Sequence, residues 1–501
     1  MVSGYVQTGA VPLIKLVPES VDATLAAITV EGIELDSRKI KEGDLFLACK
    51  GRQFHGRQFV SQALERGAKA VLVESDLQEE QSYFESGVPV IPVSSLSSRS
   101  SQIAGEFYGH PSAEIELFGV TGTNGKTSCS QIVAQLCRCI SGPCGVVGTL
   151  GSSLDGRVRE TKNTTPDGVT IQALLAGWLQ KGVRHVAMEV SSHALDQGRV
   201  SGLQFDTAIL TNLSRDHLDY HGDMGSYGEA KARLFTQEGL KRAVVNLDDN
   251  FGRSLLTTLG KKIEVLTFSL ENPEADIFAE QVEFSARCTS ASVCTPWGEL
   301  NFQSPLLGEY NLSNILACIA ALGASGVKLE LVEKHIPDLA AVSGRMEVLS
   351  DTGDIQVVVD YAHTPDALKE VLVSLRKHCE KKLWCLFGCG GDRDSGKRSQ
   401  MGFMASTLAD EVMLTSDNPR TEIPRQIIEQ VLEGCEHDVL VEEDRARAIE
   451  IVLSNAGEGD VVLIAGKGHE QYQQIGGQRI AFSDVKQVKD FFVRMYSGTQ
   501  L

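Results

Sequence analysis

Residues 113–140 read AEIELFGVTGTNGKTSCSQIVAQLCRCI, and the fold class turns on them. A short apolar run from Ile115 to Val120 enters a Gly/Thr/Asn loop spanning Gly119 to Thr127, and an amphipathic helix pattern follows. Strand, glycine-rich loop and helix in that order make a phosphate cradle. Glycines let backbone N–H groups approach oxygen anions closely, and the helix turns its positive dipole end toward them. Lys126 is placed to reach terminal phosphates, and the Thr127 hydroxyl is placed to sit on Mg²⁺. The spacing departs from the usual form. GxxxxGK[ST] requires glycine at position 120, where this chain has Val120, and its glycines stand at 119, 122 and 125. The strand before and the helix after distinguish the loop from a chance turn containing GKT.

Outward from this loop, residues 113–340 alternate strand and helix patterns, which predicts a mostly parallel sheet with helices on both faces. HVAMEV ends a buried-strand run at Glu189, and AILTNL leads into SRDHLDYHGD. Ligands in such sheets bind beyond the carboxyl ends of the strands, where Glu189, His217 and the phosphate loop all fall. Glu189 reads as a Mg²⁺ ligand or as a capping or ion-pairing carboxylate. His217 and His221 lie four apart, so that one helical face could carry both; a hydrogen-bonded surface pair is the other reading. Lys231, in SYGEAKARLF, reads from its surroundings as a solvated helix lysine.

Two further units flank this one. Residues 1–112 form a small α/β pattern through GDLFLACKG, FVSQALERGA, KAVLVES and VPVIPV, ending at Pro111 and Ser112. Asp36-Ser37-Arg38 reads there as a turn with a solvated ion pair. From about residue 341 the pattern restarts with five strand-then-loop units, IQVVVDYAHTP, KLWCLFGCGGDRD, DEVMLTSDNPR, HDVLVEEDR and GDVVLIAGKGHE. These predict a second doubly wound domain with its polar residues on the loops. GCGGDRD and GKGHE do not complete G-x-G-x-x-G, so a dinucleotide reading is weak. The expected fold class is therefore α/β, with an N-terminal domain over 1–112, a central P-loop parallel-sheet domain over 113–340 and a C-terminal Rossmann-like domain over 341–501.

Composition sets the limits. A chain of 501 residues with 42% hydrophobic and 23% charged residues is ordinary for a globular protein with sizeable cores. The net charge of −19 argues against a nucleic-acid partner, because phosphate contacts need a basic face. Twelve cysteines without a C-x-x-C pair read as buried thiols of a reducing cytosol rather than a disulfide framework or zinc site. No signal peptide pattern and no long apolar span is present, so the expectation is a cytoplasmic protein not inserted in a membrane.

GVTGTNGKTS, EVSSH at 189–193, NLSRDHLDYHG at 212–222, YNLSN at 310–314, GRME at 344–347 and DYAHTPDAL at 360–368 together resemble the Mur ligases, the ATP-dependent amide-forming enzymes of peptidoglycan precursor synthesis. LDSR near the start and DNPR with AGKGHE near the end resemble the branch that adds the third residue of the stem peptide. The resemblance implies the three-domain Mur ligase architecture, a monomer, and the substrates ATP, UDP-N-acetylmuramoyl-L-alanyl-D-glutamate and meso-2,6-diaminopimelate. Cell-wall biogenesis, with cell shape and division depending on it, is the implied setting.

Residue roles follow from the same resemblance. ATP is expected on Gly122, Thr123, Asn124, Gly125, Lys126, Thr127 and Ser128, with Asn314 and Arg345 near adenine and ribose and Asp360 assisting. Leu35, Ser37, Arg52, Gln53 and Phe54 match positions that hold the UDP part of the substrate. Asn163, Thr164, Thr165, Ser191, Gln197 and Arg199 match its muramoyl-dipeptide contacts. Lys231 matches a lysine carbamylated in the family (N6-carboxylysine), which turns a cation into an anionic oxygen ligand. With Thr127, Glu189 and His217 it would support two Mg²⁺ ions, and Lys126, Glu189, His217 and Lys231 form the implied catalytic set. The resemblance implies that the D-Glu carboxylate attacks the γ-phosphate of ATP and that the incoming amine then displaces phosphate from the acyl phosphate.

For the amino acid, Asp417-Asn418-Pro419-Arg420 follows a predicted strand. Arg420 offers a planar fork for a carboxylate, Arg393 could take the other carboxylate, and Glu470 after Gly466 could accept from the distal ammonium. The other reading has Arg420 capping a strand end or pairing with Glu422. The same ligase using L-lysine, a folylpolyglutamate synthetase, a P-loop kinase and a non-catalytic nucleotide module are the rival functions. The kinase would be expected to keep conventional Walker spacing, and the synthetase does not account for LDSR or DNPR.

Overall fold

The computed structural model describes residues 9–51, 54–76, 81–260, 262–349 and 355–497. Two compact units divide the chain. One runs to Phe278 with the short returns Thr295–Trp297 and Leu316–Val332; the other comprises Ala279–Cys294, Gly298–Ile315 and the chain from Glu333 on.

Among its described residues the first unit holds two large sheets and a two-stranded pairing of Val11–Pro12 with Thr29–Val30. In the N-terminal large sheet, Gly32–Glu34, Asp44–Ala48, Ala70–Ser75 and Val88–Ser94 pair in parallel, with Tyr83–Glu85 antiparallel at the edge. Strand side chains alternate between faces, and here both faces are buried. Leu45, Leu47 and Leu72 enter one core with helix Leu96–Tyr108, while Phe46, Ala48, Val71 and Val73 enter another with helix Val60–Glu65. Helix Leu96–Tyr108 also packs against Gly168–Gln180, where Gln172 Nε2 donates to the carbonyls of Ser101 at 3.2 Å and Gly202 at 2.9 Å. That contact seats the N-terminal sheet on the central one.

Eight successive strands of the central sheet lie in the order Arg157–Arg159, Gly151–Leu154, Cys144–Gly148, His185–Glu189, Glu116–Thr121, Thr207–Leu210, Arg242–Asn246, Glu264–Ser269. All from Cys144–Gly148 to Glu264–Ser269 are parallel, and the first two form an antiparallel edge ribbon. Glu116–Thr121 is flanked by His185–Glu189 on one side and Thr207–Leu210 on the other. The chain visits one side and then crosses to the other, so the loops after these three strands open a crevice at the carboxyl edge. The alternation of strand and helix expected up to residue 340 stops earlier. Ile277–Phe284, Thr289–Thr295 and Gly298–Ser304 follow one another without a helix between them.

In the second unit the strands order as Glu347–Val348, Ile355–Asp360, Asp460–Ala465, Leu383–Phe387, Glu411–Leu414, Leu440–Val441, parallel except for the first. Alternation again loads both faces. Leu383, Cys385, Phe387, Val461 and Leu463 join one core, and Val357, Val359, Trp384, Leu386, Val462 and Ile464 the other. The five strand-then-loop units read from the sequence are these five parallel strands. A hairpin of Tyr472–Ile475 and Gln478–Ala481 was not foreseen. Among the described residues no helix is long and apolar enough to cross a membrane.

Candidate active site

The loop after Glu116–Thr121 is held by the neighbouring strand's continuation. Thr123 N donates to Asn212 O at 2.9 Å, Asn124 N to Asn212 Oδ1 at 2.9 Å, and Thr211 Oγ1 to Asn124 O at 2.6 Å. Gly122 has φ 149°, and a Cβ there would stand 1.9 Å from Thr211 Oγ1, so only glycine lets the two segments meet. Gly125, at φ 83°, turns the chain into helix Lys126–Ile140. Lys126 curls back over this loop, its Nζ donating to Gly122 O at 2.9 Å and Thr123 O at 2.8 Å.

Thr127, in the first turn of that helix, donates from Oγ1 to Glu189 Oε2 at 2.9 Å. Glu189 is 1% exposed and also accepts from Thr149, through N at 2.8 Å and Oγ1 at 3.0 Å. It is therefore a buried carboxylate aimed at the loop, not a helix cap or half of an ion pair. Among the described residues no three His, Cys, Asp or Glu side chains converge on a point that could hold a metal. A hydroxyl beside a single carboxylate suits Mg²⁺, which takes most of its ligands from phosphates and water.

Lys231 is not a solvated lysine. It is 1% exposed, its Nζ donates to Gly122 O at 2.7 Å, and it lies 4.5 Å above the Tyr227 ring. Burial, and next the positive charge of Lys126, pushes its pKa well below the usual lysine value. Helix Met224–Ala232 carries Tyr227 and Lys231 one turn apart, on one face. His217 reaches the same neighbourhood from a different element, its ring centroid 6.1 Å from that of Tyr227. It caps the turn Leu218–His221 with φ 54°, so His217 and His221 do not share a helical face as their spacing allowed. Both instead surround His193, with ring centroids 4.9 and 5.4 Å away.

From Glu189 a polar chain runs outward. Thr149 Oγ1 lies 3.1 Å from Thr164 Oγ1, and Thr165 Oγ1 donates to Glu189 O at 2.8 Å and accepts from Ser191 N at 3.0 Å. Arg199 Nη1 donates to Thr165 O at 2.8 Å, and its Nε and Nη2 reach Gln197 Oε1 at 3.0 and 2.6 Å. Gln197 Nε2 donates in turn to Tyr220 OH at 3.0 Å. Asn163 lies exposed at the outer end of this chain. In the N-terminal sheet, Leu35 and Ser37 follow strand Gly32–Glu34, and Ser37 Oγ donates to Gln62 Oε1 at 2.6 Å. Asp36 and Arg38 form the expected exposed pair at 2.8 Å, which holds the Asp36 carboxyl down at about 2. Phe54 is 62% exposed, an open aromatic face, while Arg52 and Gln53 lie outside the described residues.

In the second unit, Asp360 is buried and accepts from the backbone N–H of Met346 at 2.8 Å and Ala362 at 2.7 Å. Burial raises its pKa. Arg345 stacks 4.7 Å above Tyr361, and Asn314 is 6% exposed. The 417–420 loop is a separate cluster. Arg420 has φ 54°, is clasped by the unforeseen hairpin (its N donates to Gln474 O at 3.0 Å, its O accepts from Gly476 N at 2.6 Å), and sends Nη1 to Gly391 O at 2.6 Å. It does not pair with Glu422, which is bound to the buried Arg398 by contacts of 2.8 and 2.9 Å. A Cβ at Gly391 would stand 2.0 Å from Pro419 O, and one at Gly466 would meet Asp417 Oδ2 at 2.8 Å. Arg393 is exposed beside the same Gly390-Gly391 turn. Asn418 Nδ2 donates to Glu470 Oε2 at 2.8 Å, and Lys467, fully buried, donates to Asn418 Oδ1 at 3.1 Å and Glu470 Oε2 at 2.9 Å.

Several of these residues had no role in the sequence reading. Tyr227 stands four before Lys231, a helical spacing that local pattern could have raised. Asn212 and Lys467 lay in quoted motifs without an assigned task. Thr149 and Gln62 give no local signal.

The chain is similar to known proteins. Sequence profiles of the Mur ligase middle domain, the Mur ligase glutamate ligase domain and the Mur ligase family catalytic domain match residues 120–322, 344–468 and 29–108. The chain belongs to the Mur ligase family. It is similar to a Pseudomonas putida protein named UDP-N-acetylmuramoyl-L-alanyl-D-glutamate--2,6-diaminopimelate ligase, with 47% identity over 469 residues, 92% of this chain and 94% of the relative. The Pseudomonas aeruginosa protein of the same name is 48% identical over 464 residues, 92% of this chain and 95% of its own. A solved structure bearing that name superimposes with a TM-score of 0.75 at 36% identity, over 97% of this chain and all of the other.

Proposed function

We propose that the chain is an ATP-dependent amide ligase joining meso-2,6-diaminopimelate to UDP-N-acetylmuramoyl-L-alanyl-D-glutamate in the cytoplasmic synthesis of peptidoglycan precursors. The observation that carries this reading is the continuous polar chain from the phosphate loop through Thr127, Glu189, Thr149, Thr164 and Thr165 to Arg199. It links a nucleotide cradle to the Arg199 guanidinium, a group suited to a carboxylate-bearing substrate. The name borne by the relatives supports the choice of substrates.

In this reading Gly122 to Ser128 hold the ATP phosphates, and Asn314, Arg345 and Asp360 serve adenine and ribose. Leu35, Ser37 and Phe54 take the uridine diphosphate end. Asn163, Thr164, Thr165, Ser191, Gln197 and Arg199 orient the dipeptide so that its D-Glu carboxylate faces the γ-phosphate. Bond formation between that carboxylate oxygen and phosphorus expels ADP and leaves an acyl phosphate. The diamino acid's amine then adds to the carbonyl, and phosphate leaves as the amide forms. Lys126 leaves the loop carbonyls for the transferring phosphoryl oxygens, where fixed positive charge counts most. Thr127 and Glu189 would hold one Mg²⁺, and His217 and Lys231 a second; such ions neutralise phosphate charge and polarise the P–O bond. Lys231 is buried with one neutral acceptor, a poor setting for an ammonium. Its conversion to a carbamate by CO₂ would supply an anion there instead. Arg420, Arg393, Asp417, Asn418, Pro419, Gly466 and Glu470 receive the distal end of the diamino acid. The protein acts as a monomer.

The test is ADP release. It should require both the UDP-muramoyl-dipeptide and a diamino acid. ADP formed at full rate without either one would overturn the proposal.

A further inference from the structure

Lys467 is a fully buried lysine that the proposed chemistry does not use. Its Nζ donates to Asn418 Oδ1 at 3.1 Å and Glu470 Oε2 at 2.9 Å, with the Tyr472 ring 5.7 Å away. Asn418 Oδ1 also accepts from Gln474 N at 2.9 Å, so the amide can point only its Nδ2 toward Glu470. Two donors therefore saturate Glu470 Oε2, leaving Oε1 as the carboxylate's remaining acceptor. An ammonium already occupies the position that the sequence reading gave to the substrate's distal ammonium.

The consequence is electrostatic. Around the 417–420 loop three carboxylates, Asp417, Glu470 and Asp484, stand against three cations, Arg420, Arg445 and Lys467. Arg445 and Asp484 are themselves a fully buried bidentate pair at 2.7 and 2.8 Å. The set is neutral. A neutral, largely buried set of charges suits an end group carrying both a carboxylate and an ammonium. It disfavours an ammonium alone, which brings an unmatched charge.

We propose that Lys467 is a specificity-determining residue, whose buried charge cancels that of Glu470 and so makes the pocket select a zwitterionic distal end over a lone ammonium. This rests on reading residues 417–420 as the seat of the incoming amino acid. Lys467 acts through Glu470 and Asn418 and is a positioning residue, not a catalytic one.

The experiment compares kcat/KM for L-lysine and for meso-diaminopimelate in the wild-type enzyme, in Lys467→Gln, which keeps hydrogen-bond donors without charge, and in Lys467→Met. Removing a unit charge a few ångströms from the bound ammonium should raise the L-lysine to diaminopimelate ratio about tenfold or more in both variants, with the KM for ATP unchanged. The double variant Lys467→Gln/Glu470→Gln restores neutrality and should return the ratio to within about threefold of wild type. An unchanged ratio in folded Lys467→Gln overturns the proposal. If neither single variant folds, a double variant whose ratio shifts toward L-lysine overturns it, and one that keeps the wild-type ratio supports it. Wild-type enzyme that ligates neither amino acid would instead overturn the functional reading itself.

Discussion

Lys231 Nζ donates to the Gly122 carbonyl at 2.7 Å, joining residues 109 positions apart in the sequence. Gly122 O also accepts from Lys126 at 2.9 Å. Two lysines thus converge on one carbonyl of the phosphate loop, and the first prediction concerns Lys126, the less buried of the two. Lys126→Ala should reduce ADP formation at least about 100-fold while circular dichroism and thermal melting stay close to wild type. Turnover within about tenfold of wild type would rule out its role on the transferring phosphate.

Lys231→Ala should be nearly inactive and partly restored by small carboxylic acids, which fit the vacated space and return an anionic oxygen. A high-resolution crystal structure of active enzyme showing an unmodified Lys231 amine would sink the carbamate.

Gly122→Ala should abolish nucleotide binding with little effect on the sheet. The added methyl would sit 1.9 Å from Thr211 Oγ1 at a φ of 149°, so the loop or Thr211 must move. Titration with a fluorescent ATP analogue reads this directly; unaltered affinity would show that the loop geometry is not required.

Arg420→Ala and Arg420→Lys should each raise the KM for meso-diaminopimelate sharply and leave the KM for ATP alone. The wild type should reject L-lysine by a factor on the order of 10⁴, because that substrate leaves a desolvated guanidinium without its carboxylate. Comparable kcat/KM values for the two amino acids would remove Arg420 as the selector.

The Arg398–Glu422 pair gives a pH-dependent stability. Hydrogen bonding by Arg398 holds the Glu422 carboxyl down at about 2, below its ordinary value of about 4.3. A depressed folded-state pKa contributes stability that is full above the unfolded value and lost as the pH falls through the folded one. Glu422→Ala, which leaves the 1%-exposed Arg398 guanidinium with the neutral acceptors Gln430 Oε1 and Gly390 O but without this carboxylate, should cost about 2 kcal/mol at pH 7. The Tm gap between Glu422→Ala and wild type should shrink steadily from pH 5 to about pH 2. A gap independent of pH would refute the pairing's contribution.

What the sequence determined by itself was what short-range physics encodes. A glycine-rich loop between Glu116–Thr121 and helix Lys126–Ile140 is legible because backbone freedom, strand period and helix dipole all act within a few residues. The parallel strands of both doubly wound sheets are legible for the same reason, since burial on two faces leaves continuous apolar runs. Roles for Lys231, Arg199 and Asn314 entered only through whole-motif resemblance. Only the tertiary structure decided which side chains meet. Thr149 reaches Glu189 across 40 residues because neighbouring parallel strands end at one edge, and Gln62 reaches Ser37 across 25 from helix Val60–Glu65. Local pattern made Lys231 a solvated lysine, but helix Met224–Ala232 turns it inward with Tyr227 beneath it. Glu422 was offered as a partner for Arg420, but Arg398 is buried and needs a counter-charge more than a half-exposed arginine does. The hairpin at Gly476 clasps Arg420 through backbone hydrogen bonds, which carry no side-chain signature to read. The charge of the Lys467 pocket was likewise hidden. It is a sum over residues from 417 to 484 that share no local pattern, and it exists only where packing brings them together.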